Sequence, residues 1–262
     1  MAAQSLRPQN PFPKMPMRRA LYVLLSLGFG LVVVAAAALA MSRDALWLVV
    51  RSCVAAQAAF GRPFPCLEVR PERNGSPGYA VLRAPDSSTH IIVMPTTYIP
   101  GIESREVLQD GAGVYWRAAL ESRRFVVEGA GGRVREDAVG LALNSVETRS
   151  QDQLHIHAEC FRPDVLAIVR LDPPSPGSGW HPLRAPIDHE RYLARTVTRD
   201  ELASGNVFGL LATLPGSGGD LSQSKVLLVE AGPVFILAVT RFSQESIESL
   251  VDENCSATRK RG

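Results

Sequence analysis

The chain has 262 residues, with 28 Lys and Arg against 26 Asp and Glu, a formal net charge of +2. No basic excess of the kind that drives nucleic-acid binding is present. At 46% apolar and 21% charged residues it can bury a core and is not a disordered polymer, and its length admits one large domain or two small ones.

Residues 20–41 form a run of 22 without a charge. As a helix this spans about 33 Å, enough to cross a hydrocarbon core of ~30 Å. Arg7, Lys14, Arg18 and Arg19 precede it, with no acid among them. The positive-inside rule therefore predicts a cytoplasmic segment 1–19, a transmembrane signal anchor 20–41 and an exported domain 42–262. A cleaved signal peptide is the rival, because Ala38, Leu39 and Ala40 have the small-x-small form of a cleavage site. The apolar run is longer than the ~7–15 residues of a signal core, which favours the anchor.

Cys53, Cys66, Cys160 and Cys255 all follow the apolar run, and an even number in an oxidising compartment predicts two disulfides. Four cysteines allow three pairings. The favoured one joins Cys53 to Cys66 around a short Pro-containing loop and leaves Cys160 to fasten the tail at Cys255.

Along the exported part, residues 44–59 read as a helical stalk ending in a Gly- and Pro-containing stretch, 61–65. Residues 79–82 and 89–94 predict a hairpin about a turn at 85–88. Residues 113–128 fit a helix with Val114, Ala118 and Phe125 on its apolar side and Arg117, Glu121 and Arg124 around it. A buried strand is expected at 138–143 and a half-buried one at 153–160. A helix follows Pro163, then a loop at 172–179. Thr198 and Glu201 have capping-box spacing, so a helix should start there and run toward Leu214. Residues 225–230 and 234–241 predict a second hairpin, and a short helix near 245–251 closes the chain. Strands and helices alternate without a βαβ rhythm, which predicts an α+β fold with an antiparallel sheet and flanking helices.

The chemistry concentrates at 150–160. On a strand, Gln153, His155, His157 and Glu159 share one face, while Leu154, Ile156 and Ala158 face the core. Paired imidazoles suit nucleophilic or acid–base work near neutral pH. The same pattern also fits two surface histidines, or a metal site, which would need Glu159, His90 or a distant group to complete it. Arg162, Tyr192, His181 and His189 are further polar candidates that spacing does not place.

The run from Gln153 to His157, with Asn144 before it and Ser150 and Gln151 leading in, resembles the signature of histidine triad (HIT) proteins, which usually read H-x-H-x-H. The stretch from Thr89 to Pro95 resembles another strand of that superfamily. With Cys66 to Val69, Gly78 to Leu82, Gly101 to Ser104, Leu141 to Ser145, Cys160 to Val165 and Tyr192 to Arg195, the ordered set resembles the CDP-diacylglycerol pyrophosphatases, the membrane-anchored branch. The resemblance covers nearly the whole exported part.

It implies a HIT-like fold and hydrolysis of CDP-diacylglycerol to CMP and phosphatidate through a nucleotidyl-histidine. The alternatives are a HIT-like hydrolase of soluble nucleotide derivatives and a non-catalytic nucleotide-binding module, in which Gln153 would mark lost chemistry. His155 would be the nucleophile and His157 would stabilise charge on the phosphate. Asn144, Ser150 and Gln151 would contact phosphate or leaving group. No metal or other cofactor is implied. The partners are the lipid nucleotide and the membrane, with no nucleic acid, and a homodimer is left open. The location implied is the bacterial inner membrane, single-pass, with a periplasmic catalytic domain. Gln153 departs from the pattern, standing where histidine is usual. It keeps a donor and an acceptor but cannot carry a proton charge. His90 is the candidate second imidazole near the same phosphate.

Overall fold

The computed structural model describes residues 42–171 and 173–256. The segment 1–19 and the anchor expected at 20–41 lie outside the described residues. Among those described, no helix is long and apolar enough to cross a membrane.

Among the described residues nine strands form one antiparallel sheet. They are β1 (Glu68–Arg70), β2 (Tyr79–Arg83), β3 (Ile91–Pro95), β4 (Val139–Leu143), β5 (Ile156–Cys160), β6 (His181–Pro182), β7 (Leu193–Thr198), β8 (Ser224–Ala231) and β9 (Val234–Arg241). Their order across the sheet is β1-β2-β3-β5-β4-β8-β9-β7-β6. Among the described residues the α-helices are α1 (Ala45–Phe60), α2 (Val114–Gly129), α3 (Pro163–Arg170), α4 (Arg199–Ser204) and α5 (Val207–Leu211). This is the expected α+β class.

Strand alternation divides the core in two. Ile91 and Val93 of β3, Leu141 of β4, and Ile156 and Ala158 of β5 share one face, where α2 buries Tyr115, Trp116, Ala119 and Val126. Ile92 and Met94 point the other way and join Ala80, Leu82, Val50 and Cys53 in a smaller cluster with α1. Each fully buried Val, Leu, Ile or Met among them is worth roughly 1.5–3 kcal/mol. Gly140, paired with Glu159, leaves room for the Phe161 ring, which a Cβ there would meet at 2.8 Å. The β8–β9 hairpin closes in two residues, Gly232 and Pro233, with Gly232 at φ 66°, where glycine carries no steric penalty.

Several expectations need correction. The strand expected at 153–160 starts at Ile156, because the preceding residues bond to the loop after β3: Leu154 N–H donates to Ile99 O at 2.6 Å. All of β5 is buried, where half-burial was expected. The N-terminal stalk is a helix docked on the sheet, and its Leu46 N–H donates to Gln151 Oε1 at 3.0 Å. The helix expected from Thr198 to Leu214 breaks at Gly205. Asn206 starts a new one by accepting Phe208 N–H. The closing helix is a single 3-10 turn, Ile247–Leu250.

Cys53 is bonded to Cys66 and Cys160 to Cys255.

Candidate active site

The site lies where β3 and β5 run side by side. Ile91 pairs with Ala158 and Ile92 with His157, so His90 meets Glu159 one step beyond, on the face carrying His157. Just ahead of β5, His155 Nδ1 lies 2.6 Å from the carbonyl oxygen of Gln153. That nitrogen must be the donor, which leaves Nε2 with its lone pair. The rings of His155 and His157 stand 4.8 Å apart and tilted, and those of His157 and His90 stack at 5.1 Å. His90 Nε2 is 2.9 Å from His157 Nδ1. Glu159 Oε1 lies 3.2 Å from the former and 3.5 Å from the latter. His157 Nε2 is enclosed and has no hydrogen-bond partner among the described residues.

Burial sets the charges. It pushes His155 down to about 3, with the neighbouring His157 acting the same way and the Gln153 carbonyl opposing. Burial likewise pushes His157 down to about 4 against the pull of Glu248, and lowers His90. His155 and His157 are therefore neutral at neutral pH. Burial raises Glu159 to about 7, with His90 opposing.

Gln153 is fully buried and fully used. Its Nε2 donates to Pro95 O and Thr97 O, each at 3.0 Å, and its Oε1 accepts Ile99 N–H at 3.4 Å. Asn144 Oδ1 accepts from Ile247 N–H at 2.9 Å and from Thr148 Oγ1 at 3.2 Å. Gln151 holds the start of α1, and Ser150 is exposed. Arg162 pairs with Asp164 and Asp188, and Tyr192 donates to Glu190, so neither points its polar group freely at the histidines. His181 is exposed on β6, and His189 sits in the loop before β7 at φ 70°.

Sequence reasoning missed Glu248. Its carboxylate, held below its usual range by His157 despite burial, acts electrostatically on His90, His155 and His157. No local pattern marks it, because it arrives on the turn Ile247–Leu250 at the far end of the chain.

An antiparallel sheet presenting a neutral histidine beside a buried His–His–Glu cluster defines an α+β protein with a histidine-centred site. Residues 41–259 match the family described as CDP-diacylglycerol pyrophosphatase. The chain is 30% identical over 220 residues to the CDP-diacylglycerol pyrophosphatase of Yersinia pestis, covering 81% of this chain and 84% of that one. The chain belongs to the CDP-diacylglycerol pyrophosphatase family. Among solved structures, a DUF4931 family protein from Bacillus cereus is 10% identical with a TM-score of 0.37, covering 74% of this chain and 93% of that one. Yeast Ap4A phosphorylase in complex with Ap4A is 16% identical with a TM-score of 0.36, covering 64% and 57%. The two disulfides suit an extracytoplasmic domain.

Proposed function

We propose that the chain hydrolyses CDP-diacylglycerol to CMP and phosphatidate in two displacements at the cytidylyl phosphorus, with His155 Nε2 as nucleophile. The observation that carries this reading is the bond from His155 Nδ1–H to Gln153 O, which holds the imidazole in the tautomer whose Nε2 is free to attack. In the first step the Nε2 lone pair forms a P–N bond, the bridging P–O bond breaks, and phosphatidate leaves with the electron pair. In the second, water attacks the same phosphorus, the P–N bond breaks, its electron pair returns to Nε2, and CMP departs. The water proton passes to the released phosphates or to solvent.

His157 supports the reading as the donor. Its Nδ1 faces His90 and its Nε2 is unpartnered, so a proton on Nε2 can stabilise the oxygens that gain charge. His90 holds His157, and Gln153 orients the backbone carbonyl that fixes His155. The resemblance assigns Asn144, Ser150 and Gln151 to the phosphate or leaving group, and Asn144 and Gln151 would act through the segments they fasten. The HIT-like reading of the fold is part of the same proposal, as is a single-pass anchor at 20–41 in the bacterial inner membrane with the domain in the periplasm. Such an anchor suits a diacyl substrate, because it raises effective concentration at the bilayer.

The test is CMP release by the full chain from CDP-diacylglycerol and from a water-soluble CDP-alcohol, with a denaturing quench at alkaline pH to trap the acid-labile cytidylyl-histidine. His155→Ala should lose the intermediate and nearly all turnover. Activity within about tenfold of wild type, ~1.4 kcal/mol of barrier, would remove His155 from this role.

A further inference from the structure

The geometry points to a divalent-cation site, of the kind that takes zinc, formed by His90 Nε2, His157 Nδ1 and Glu159 Oε1. These three atoms are separated by 2.9, 3.2 and 3.5 Å. Ligand bonds of about 2.0–2.2 Å in a tetrahedron put neighbouring donor atoms about 3.3 Å apart, so the triangle already has the size of one tetrahedral face. Two imidazole nitrogens and one carboxylate oxygen are a donor set suited to zinc.

Proton counting favours a cation over a hydrogen-bond relay. Each of the three atoms can present a lone pair to a common centre. One shared hydrogen between His90 and His157 satisfies that pair and leaves Glu159 Oε1, which is enclosed and has no hydrogen-bond partner among the described residues. Among the described residues no Lys or Arg pairs with Glu159, and the groups within ion-pair distance of it are these two histidines. A buried carboxylate without a compensating charge is costly, and a divalent ion at the centre of the triangle removes that cost. The ligands also sit on rigid elements. His157 and Glu159 are alternate residues of β5, and His90 adjoins β3, the strand paired with it. A shared centre therefore needs no loop to move.

Three protein ligands leave a fourth position for water or a substrate phosphate oxygen. Coordination through Nδ1 would also force the His157 proton onto Nε2, the nitrogen left unpartnered, and strengthen it as a donor. That consequence rests on the proposed function; the cation site itself rests on the triangle alone.

The full chain, purified without chelator or polyhistidine tag, should carry about one zinc by elemental mass spectrometry. After chelation, Co2+ should restore an intense visible spectrum of tetrahedral cobalt, and Zn2+ should raise Tm. His90→Gln and Glu159→Gln should each cut metal content by at least about tenfold. Wild-type protein holding less than a tenth of an equivalent, and showing no Tm rise with Zn2+, would overturn the site, as would variants that keep their metal. If Glu159→Gln fails to fold, the wild-type titration and the more accessible His90→Gln decide. None of these readouts involves substrate, so absence of CDP-diacylglycerol hydrolysis in metal-loaded protein would count against the proposed function and leave the cation site standing.

Discussion

The side-chain oxygen of Asn144 accepts the backbone N–H of Ile247 at 2.9 Å, joining residues 103 positions apart. It ties the end of β4 to the turn that carries Glu248, and so sets the field at the three histidines. Asn144→Ala would leave a buried N–H unpaired, at a cost of about 1–3 kcal/mol. The expected outcome is a lower urea midpoint together with reduced kcat/KM, because Glu248 loses its fixed position. A variant with wild-type stability and slowed turnover would instead assign Asn144 to substrate contact alone.

Gln153 is the departure from the triad pattern, and the resemblance would have histidine welcome there. The structure predicts otherwise. Both amide hydrogens and the amide oxygen are engaged, by Pro95, Thr97 and Ile99. A neutral imidazole supplies one donor and one acceptor, so Gln153→His strands at least one buried carbonyl, at about 1–3 kcal/mol. It should melt below wild type and loosen the carbonyl that orients His155. Equal Tm values in a scanning calorimeter would show that these bonds contribute little.

How much was legible in the sequence depended on whether a signal was local. The capping box at Thr198 and Glu201 is formed, and the hairpin about Gly232 has its expected strands, because each is encoded within a few residues. Strand β7 was not read, since Arg195, Thr196 and Thr198 break the apolar pattern; β9 beside it supplies the ladder that makes it a strand. The end of α4 was missed because Gly205 stops one helix and Asn206 at once caps the next. In the site, the alternation of His155, His157 and Glu159 was visible. The approach of His90 depends on the register of β3 against β5, and Glu248 arrives through Asn144; neither leaves a local trace.

The two disulfides should differ in weight. Cys160–Cys255 spans 95 residues and Cys53–Cys66 spans 13. Chain entropy assigns about 4.7 kcal/mol to a 100-residue loop and about 3 to a 15-residue one, with measured costs of ~2–5. Cys255→Ser should therefore lower Tm more than Cys66→Ser. It should also lower activity, because Thr89, next to His90, donates to the carbonyl of Glu253 on the same tail. The check is melting and CMP release without reductant, and a larger loss from Cys66→Ser would reverse the assignment.

Acid should inactivate this enzyme later than an ordinary imidazole would allow. Protonating His155 removes the lone pair that attacks phosphorus, and burial holds its pKa down to about 3 against an ordinary 6.5. At pH 5 an ordinary histidine keeps only about 3% of its neutral form, whereas His155 stays almost entirely neutral. The acid limb of kcat/KM should accordingly lie well below pH 6. Stability carries the matching sign. The depressed pKa means that the unfolded chain binds the extra proton between about pH 3 and 6.5, so stability is full above 6.5 and drains away as pH falls through that window. His155→Asn should flatten this slope, since it removes the group whose proton uptake drives it. The measurement is urea midpoints from pH 7 to pH 4 for both proteins, alongside the wild-type rate profile. An acid limb at 6.5 with parallel stability slopes would mean that His155 titrates as an open, solvated imidazole.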